Sequence, residues 1–346
     1  MKIFKNAVLK QIFVILFAAV LTITADGTAR ATGEINVLKT PEIKTSTTTE
    51  VMVLNIGKGT NEIYIPVSEA PKFEPDGPAA FAVDTNENFY ILDTENFKVV
   101  VASGEKVIKV INYPEGESGN QKFFMRDISV SSKDGKIYLL NHTLKNIFIY
   151  SPDGKLAGDI KISEHVKSPH KIFAAGDGNI YVRDEDDMKI AVFSADGKFI
   201  ASRDGSMISN IPNDDGFLFA LGEFDKDGRD VLLMDLQKGR DPKVFGRLLN
   251  SYPENQIYDY QIIGTDDKLN LFAMAVEQVK MDVSRPVIYK FDSSGKLLSR
   301  FETDNFWGLG VSVPTRQFAV SPAGNLYVFD SQLKKGKFVV IKIEEK

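Results

Sequence analysis

The sequence contains no cysteine, one tryptophan and three histidines among 346 residues. Without cysteine no disulfide can form, so core packing alone must hold the fold together. Standard nucleophile motifs, a Walker phosphate loop and a pair of histidines at metal-binding spacing are also missing. His142, His165 and His170 are too few for a His-rich metal centre. These absences favour a binding protein over a hydrolase or metalloenzyme of a standard type.

No apolar run reaches the length of about 20 residues that a membrane-spanning helix needs. The run near the N-terminus, Ile12–Ile23, follows three lysines and precedes the small-residue pattern Ala29-Arg30-Ala31. This combination is typical of a secretory signal that is cleaved after Ala31. We therefore expect an exported protein in the periplasm or outside the cell. A cysteine-free exported chain further indicates a bacterial source.

The formal net charge is −5, and removal of residues 1–31 lowers it to −8, because four basic residues and one acidic residue are lost. The chain has no basic run. This balance argues against nucleic acid, and after signal cleavage against a membrane, as partner. The predicted partner is a protein or an extracellular polymer.

The stretch Pro169–Lys198 defines a repeat that recurs along the chain. It contains three short apolar runs separated by turns, and the Asp-Gly pairs at 177–178 and 196–197 are typical of tight hairpins because glycine accepts a positive φ. With Phe199–Ala201 as a fourth run, the stretch predicts a four-stranded antiparallel meander. The first strands of the repeats are centred near Phe81, Ile128, Ile172, Phe217, Ile262 and Phe318.

The spacing of these strands is that of propeller blades. The sixth repeat lacks a fourth strand, and the run Val51–Ile56 stands alone before the first repeat. If that run fills the vacant outer position of the last blade, the ring closes and no edge is left open. We therefore predict an all-β, six-bladed propeller closed by an N-terminal strand. The predicted segments are a signal peptide (1–31), a flexible polar lead-in (32–50) and the propeller (51–346).

Two motifs in the repeats resemble a known family. The pattern G-x-I-Y-V-x-D, followed by K-I-x-V-F-S-x-D-G-K, is similar to the NHL-type repeats of six-bladed, TolB-like propellers. The likeness covers residues 78–343 and implies the fold. That family includes protein-binding modules, lactonases and lyases, so the resemblance does not imply one function.

Loops that lead into the innermost strands of a propeller surround one mouth of its channel. Five of the six repeats carry polar or charged side chains there. Arg126, His170 and Arg316 are candidates to hold an anionic group, with Asp215 and Asp259 balancing their charge. A ring of mutually neutralising charges around a water-filled channel is the interpretation that we favour over a dedicated ligand site. The predicted ligand-binding residues are Arg126, His170, Asp215, Tyr258, Asp259, Trp307 and Arg316.

Two insertions are candidates for the same mouth. Trp307 lies in the long connection before the last repeat, where it either covers the channel or fills a gap between blades. The second insertion, Glu277–Pro286, interrupts the fifth repeat. We expect it to reach the same mouth.

Acidic residues suggest structural or metal-binding roles. Asp93, Asn141, Asp184 and Asp330 follow second strands at matching places, which indicates turn capping through hydrogen bonds to the backbone. The loop Asp225-x-Asp227-Gly228-x-Asp230 resembles a calcium loop, but its glycine comes too early for the standard pattern.

The predicted function is binding without catalysis, with no catalytic residue, no metal ligand and no cofactor assigned. The alternative is a metal-dependent hydrolase or lyase of the gluconolactonase or streptogramin-lyase type, with calcium as its ion or with His170 as its base. The first repeat begins with Pro78-Ala79-Ala80-Phe81, which offers no carboxylate where the resemblance to gluconolactonases implies one.

Overall fold

The computed structural model describes residues 42–66, 77–118, 121–204, 211–212, 217–225, 228–235, 243–249, 256–280, 283–304 and 314–346. Strands dominate these ranges, and the helices within them are two single-turn 3₁₀ helices, Thr94–Asn96 and Leu333–Lys335. Neither of these helices has the length and apolar character needed to cross a membrane.

Within the described residues the strands form six blades of antiparallel strands and one small hairpin, which confirms the predicted six-bladed propeller. Blade 1 holds β3–β6, blade 2 β9–β12, blade 3 β13–β16, blade 4 β17–β20, blade 5 β21–β24 with β1, and blade 6 β25–β27 with β2. In chain order the strands are β1 (Ile43–Lys44), β2 (Ser46–Asn55), β3 (Ala80–Val83), β4 (Phe89–Asp93), β5 (Lys98–Ser103), β6 (Lys106–Asn112), β7 (Glu117–Ser118), β8 (Gln121–Lys122), β9 (Met125–Val130), β10 (Ile137–Asn141), β11 (Asn146–Tyr150), β12 (Leu156–Lys161), β13 (Pro169–Ala174), β14 (Asn179–Asp184), β15 (Lys189–Ser194), β16 (Phe199–Asp204), β17 (Ile211–Pro212), β18 (Phe217–Asp225), β19 (Gly228–Asp235), β20 (Lys243–Leu249), β21 (Gln256–Thr265), β22 (Leu271–Lys280), β23 (Val283–Phe291), β24 (Leu297–Glu302), β25 (Phe318–Val320), β26 (Leu326–Gln332) and β27 (Lys337–Glu345).

The first strand of each blade is its inner strand, and among the described residues the inner strands contact one another in five of the six pairs of neighbouring blades. Strand β9 contacts both β3 and β13, β21 contacts both β17 and β25, and β25 contacts β3. The Asp-Gly turns take the predicted conformation, since Gly178 and Gly197 both have φ of 86°. The inner strands therefore enclose a common channel, and each blade extends outward from it by tight hairpins.

The N-terminal strand closes the ring as predicted. Strand β2 pairs antiparallel with β27 and becomes the outer strand of blade 6. Blades 6 and 1 are also joined by side chains. Phe89 packs edge-on against Tyr327 with ring centroids 5.0 Å apart, and Ser321 Oγ donates a 3.1 Å hydrogen bond to Glu87 Oε1. Asn325 donates a second hydrogen bond to the same carboxylate. The first and last blades are thus bound by backbone pairing and by side chains.

The closing strand begins earlier than the predicted boundary at Val51. It starts at Ser46, inside the Thr-rich stretch, and Ile43–Lys44 adds a parallel fifth strand to blade 5. The side chains of Thr47–Glu50 are exposed, so the stretch has no apolar alternation, although threonine itself favours extended backbone. The interpretation of this part as a flexible lead-in was therefore wrong from Ile43 onward.

The assignment of the first strand in blade 4 was also wrong. The run that begins at Phe217 is the second strand of the blade, and the inner strand is the two-residue β17 at Ile211–Pro212. Proline is compatible with a sheet edge because it cannot donate to a ladder, and so short a strand has no periodicity to detect.

The hydrophobic core is divided among the interfaces between blades. One cluster joins blades 6 and 1 and contains Met52 and Leu54 from the closing strand with Phe81 and Ile91 from blade 1. Similar clusters lie between blades 1 and 2, 2 and 3, 4 and 5, and 5 and 6. The tyrosine that recurs in second strands is buried, as expected for a side chain between blades: Tyr90, Tyr138, Tyr181 and Tyr327.

Two of the four polar residues at the ends of second strands cap the turn that follows, as predicted. Asp184 accepts hydrogen bonds from the backbone N–H groups of Asp186 and Asp187 at 3.2 and 3.4 Å, and Asn141 accepts one from Leu144 at 2.9 Å. Asp93 instead accepts the N–H of Tyr64, outside its own turn, at 3.2 Å. Burial raises the pKa of the fourth residue, Asp330.

Replacement of a buried residue of the closing strand should destabilise the whole ring. Met52 has no exposed surface, so Met52→Ala should lower the free energy of unfolding by about 2–5 kcal/mol. The control is Val244→Ala, on the outer strand of blade 4, where 65% of the residue is exposed and the expected change is within about 0.5 kcal/mol. Urea unfolding measures both, and equal effects would contradict the closure.

Candidate functional site

Inner strands of blades 2, 3 and 5 each contain a β-bulge near their first residues. At each bulge the pairing with the second strand skips one residue of the inner strand. Bulges turn the extra residue away from the regular alternation and are common beside functional sites. The extra residues are Arg126, His170 and Tyr258.

Arg126 and His170 are in direct contact across blades 2 and 3. Nη2 of Arg126 donates to Nδ1 of His170 over 2.9 Å, so Nδ1 is unprotonated in this arrangement. Burial first, and then the charge of Arg126, lower the pKa of His170 to about 3. The ring is therefore neutral at physiological pH. The 3.2 Å approach of Glu185 Oε2 to the same nitrogen is consequently not an ion pair.

Arg316 reaches from blade 6 across the channel to the opposite blades. Its Nη2 donates to Asp127 Oδ2 of blade 2 at 2.8 Å and to the carbonyl oxygen of Ile172 of blade 3 at 2.9 Å. Asp127 is fully buried and also accepts the N–H of Ile172 at 2.9 Å. Buried charges need this pairing, because removal of one partner leaves the other uncompensated. Arg316 therefore ties three blades together inside the ring.

Lys171 and Asp259 lie close enough together in the channel for each to influence the pKa of the other. Burial and then the neighbouring Arg316 lower the pKa of Lys171 to about 8, against the opposing influence of Asp127. Burial raises the pKa of Asp259, although Lys171 pulls in the other direction. Burial thus outweighs charge pairing for both groups.

Arg183 is a member of this cluster that sequence reasoning missed. It lies on the second strand of blade 3, directly opposite Lys171 in the ladder, and its charge contributes to the lowered pKa values of Lys171 and His170. Nε of Arg183 and Nε of Arg126 are buried and have no hydrogen-bond partner among the described residues. Only the position of the bulge aligns Arg183 with Lys171, and a bulge leaves no signal in a single sequence.

The structure brings Arg126, His170 and Arg316 to one channel, with Asp259 close enough to Lys171 to interact electrostatically. Asp215 and Trp307 lie outside the described residues, as does the side chain of Tyr258. The insertion Glu277–Pro286 extends the second and third strands of blade 5, where Glu277 pairs in register with Arg285. It lies at the end of the blade where the inner strand begins, as the pairing of Gln256 with Gln278 shows.

The described acidic residues and histidines do not form a metal site. Over the ranges that the structure describes, no group of three or more histidine, aspartate and glutamate side chains is placed to hold an ion. Asp227 of the calcium-like loop lies outside those ranges, and Asp230 forms an ion pair with Arg247 at 2.6 Å.

No protein-family model matches the sequence, and no curated protein matches it. Among solved structures, a member of the DUF4221 family from Bacteroides vulgatus is similar at a TM-score of 0.55, with 13% identity over 88% of this chain and 100% of that chain. Virginiamycin B lyase from Staphylococcus aureus reaches 0.48, with 12% identity over 87% and 100% of the two chains. A gluconolactonase from Xanthomonas campestris reaches 0.47, with 11% identity over 89% and 99%. The first likeness supports the fold alone, and the two enzymes carry no argument about activity.

Removal of the ion pair between Arg316 and Asp127 should destabilise the fold. Arg316→Gln leaves the buried carboxylate of Asp127 uncompensated, so we predict a loss of about 3 kcal/mol in the free energy of unfolding, measured in urea. The double variant Arg316→Gln, Asp127→Asn should recover part of this loss. Lys342→Gln, which breaks a partly exposed surface pair with Glu344, is the control and should change stability by less than about 1 kcal/mol. Equal losses for Arg316→Gln and Lys342→Gln would refute the cross-channel tie.

The neutral histidine predicts a pH effect on stability. Between about 3 and the usual pKa of 6.5, the unfolded chain binds a proton at His170 that the folded chain does not. This group therefore lowers the free energy of unfolding as the pH falls below about 6.5. We expect the melting temperature of His170→Gln, relative to the original protein, to be higher at about pH 5 than at about pH 7.5.

The control for this pH effect is His165→Gln, which removes a ring stacked 3.8 Å from Phe199 in the outer strand of blade 3. Asp93, whose pKa burial raises to about 6, titrates in all three proteins and cancels in the comparison. An equal pH dependence for the two histidine variants would show that His170 is not held neutral.

Proposed function

We propose that the protein is an exported, NHL-type propeller that binds a carboxylate-bearing ligand at the mouth of its channel. The observation that carries this proposal is the placement of three cationic side chains beside the neutral His170: Arg126 contacts its ring at 2.9 Å, and Lys171 follows it on the strand opposite Arg183. The ligand is either a small acid or an acidic group displayed by an extracellular protein or polymer. Export rests on the signal-like N-terminus.

The charges around His170 favour an anion. The carboxylate of Asp127 is engaged by Arg316, which leaves Arg126, Lys171 and Arg183 facing Glu185 and Asp259. The side chain of Glu185 is 53% exposed, so solvent weakens its field. A local excess of cationic groups in a chain of net charge −5 favours the binding of an anionic ligand at this place.

The two arginines have the geometry that such a ligand requires. A guanidinium presents parallel N–H groups that match the two oxygens of a carboxylate. Arg126 uses one donor for His170, and its Nε and that of Arg183 lack partners among the described residues. An arriving carboxylate would satisfy buried donors that are otherwise costly to leave unpaired.

The hydrolase or lyase alternative receives less support from the site. A general base works best when its pKa lies near the operating pH. Since burial and Arg126 lower the pKa of His170 to about 3, its neutral ring has weak affinity for a substrate proton. Binding is therefore the function that the arrangement favours.

Titration calorimetry with succinate and with inorganic phosphate tests the proposal. We expect succinate to bind at millimolar concentrations and to raise the melting temperature, with weaker binding as sodium chloride is added. The double variant Arg126→Gln, Arg183→Gln should lose about tenfold or more in affinity, the cost of one or two charge-assisted hydrogen bonds. Lys189→Gln, at an exposed position of blade 3, should bind as the original protein does.

Phosphate distinguishes a carboxylate site from a general anion site. Tighter binding of phosphate than of succinate would reassign the ligand class. No binding of either probe, or equal binding by the double variant, would refute the proposed function.

A further inference from the structure

Lys171 is a cationic group of the channel that has no direct partner in the part of the chain that the structure describes. It follows the bulged His170 on the inner strand of blade 3 and pairs in register with Arg183. Among the described residues its ammonium group makes no ion pair and no hydrogen bond, although Asp127 and Asp259 lie near enough to influence it. By comparison, Lys98 is buried in blade 1 and donates to the carbonyl oxygens of Gly59 and Thr60. A structural role of that kind therefore does not account for Lys171.

The environment of Lys171 favours its neutral amine. Burial and the positive charges of Arg316 and Arg183 outweigh the two aspartates and lower the pKa from 10.5 to about 8. At neutral pH about a tenth of such amines are unprotonated, against fewer than about one in a thousand for an ordinary lysine. A desolvated lysine beside other cations is the form in which lysine acts as a nucleophile toward carbonyl carbon.

We propose that Lys171 forms an imine with a 2-oxo acid whose carboxylate is held by Arg126 and Arg183. The proposal rests on the proposed carboxylate site and names the class of ligand that it takes. In a 2-oxo acid the carbonyl carbon is bonded to the carboxylate carbon. One small molecule can therefore contact the arginines and the amine together, since Arg126 contacts His170, and Lys171 follows His170 on the strand directly opposite Arg183.

The step is balanced without a further reactant. The neutral amine of Lys171 attacks the carbonyl carbon, the two amine protons pass to the carbonyl oxygen, and that oxygen leaves as water. A C=N bond replaces the C=O bond, and nothing is oxidised or reduced. The reaction is reversible, so the protein would capture and release the acid. The positive charges nearby would also favour a ligand that keeps its negative charge throughout.

Reductive trapping provides the test. The protein is incubated near neutral pH with glyoxylate, the smallest 2-oxo acid, and cyanoborohydride, and carboxymethylated lysines are quantified by peptide mass spectrometry. We expect Lys171 to be labelled at least about tenfold faster than Lys155, because far more of its amine is unprotonated. Lys155 is the internal control, since its side chain is 84% exposed.

Competition by succinate and replacement of the two arginines test whether the carboxylate site directs the labelling of Lys171. Excess succinate, which occupies the carboxylate site but has no reactive carbonyl, should slow labelling of Lys171 and leave Lys155 unchanged. The variant Arg126→Gln, Arg183→Gln should lose most of the preference for Lys171. In Lys171→Arg, labelling of the other lysines should stay the same, which shows that the fold is intact.

The outcomes distinguish this inference from the proposed function. If succinate binds but Lys171 is labelled no faster than Lys155, the imine is refuted while the carboxylate site stands. If Lys171 is labelled rapidly and neither succinate nor the arginine variant slows it, the assignment to 2-oxo acids is refuted. If succinate does not bind at all, the proposed function fails first.

Discussion

The antiparallel pairing of the closing strand Ser46–Asn55 with Lys337–Glu345 is the contact on which the rest of the structure depends. Five of the buried clusters in the described residues join neighbouring blades, so most of the core is a series of interfaces between blades. Without the closing strand, blade 6 would have three strands, and the cluster that contains Met52 and Phe338 would lose part of one wall. In a propeller the closure removes a sheet edge and completes the core in one step.

Closure of the ring also positions Arg316 in the candidate site. The residues just before the inner strand of blade 6 bond to blade 1, where Thr315 donates its N–H to the carbonyl oxygen of Ala79 at 2.7 Å. The next residue, Arg316, is thereby directed into the channel and reaches Asp127 on blade 2. With that carboxylate engaged, burial lowers the pKa values of His170 and Lys171. The stabilising pair and the cationic cluster thus share one origin, and perturbed groups of this kind are candidates for functional sites.

Much of the fold could be predicted from local chemistry. Glycine at positive φ, alternating apolar residues and a regular period identify five of the six inner strands and the closing strand, because each signal lies within a few neighbouring residues. The inner strand of blade 4 and the strand at Ile43–Lys44 could not be found, because two residues carry no period. The site was predicted in part. Arg126, His170 and Arg316 are marked by their position in the repeat, whereas Arg183 depends on a bulge, and the partner of Arg316 is set by packing across the ring.

An engineered disulfide measures the closure most directly, because the chain has no cysteine of its own. Val53 and Val339 are register partners on the closing strand and the last strand. The variant Val53→Cys, Val339→Cys should therefore form an intramolecular disulfide under mild oxidation, since paired residues meet the distance that a disulfide requires. The control variant Val53→Cys, Ile343→Cys places the second cysteine about 14 Å further along the same strand and should stay reduced. Equal cross-linking of the two variants, or cross-linking only between separate molecules, would contradict the account.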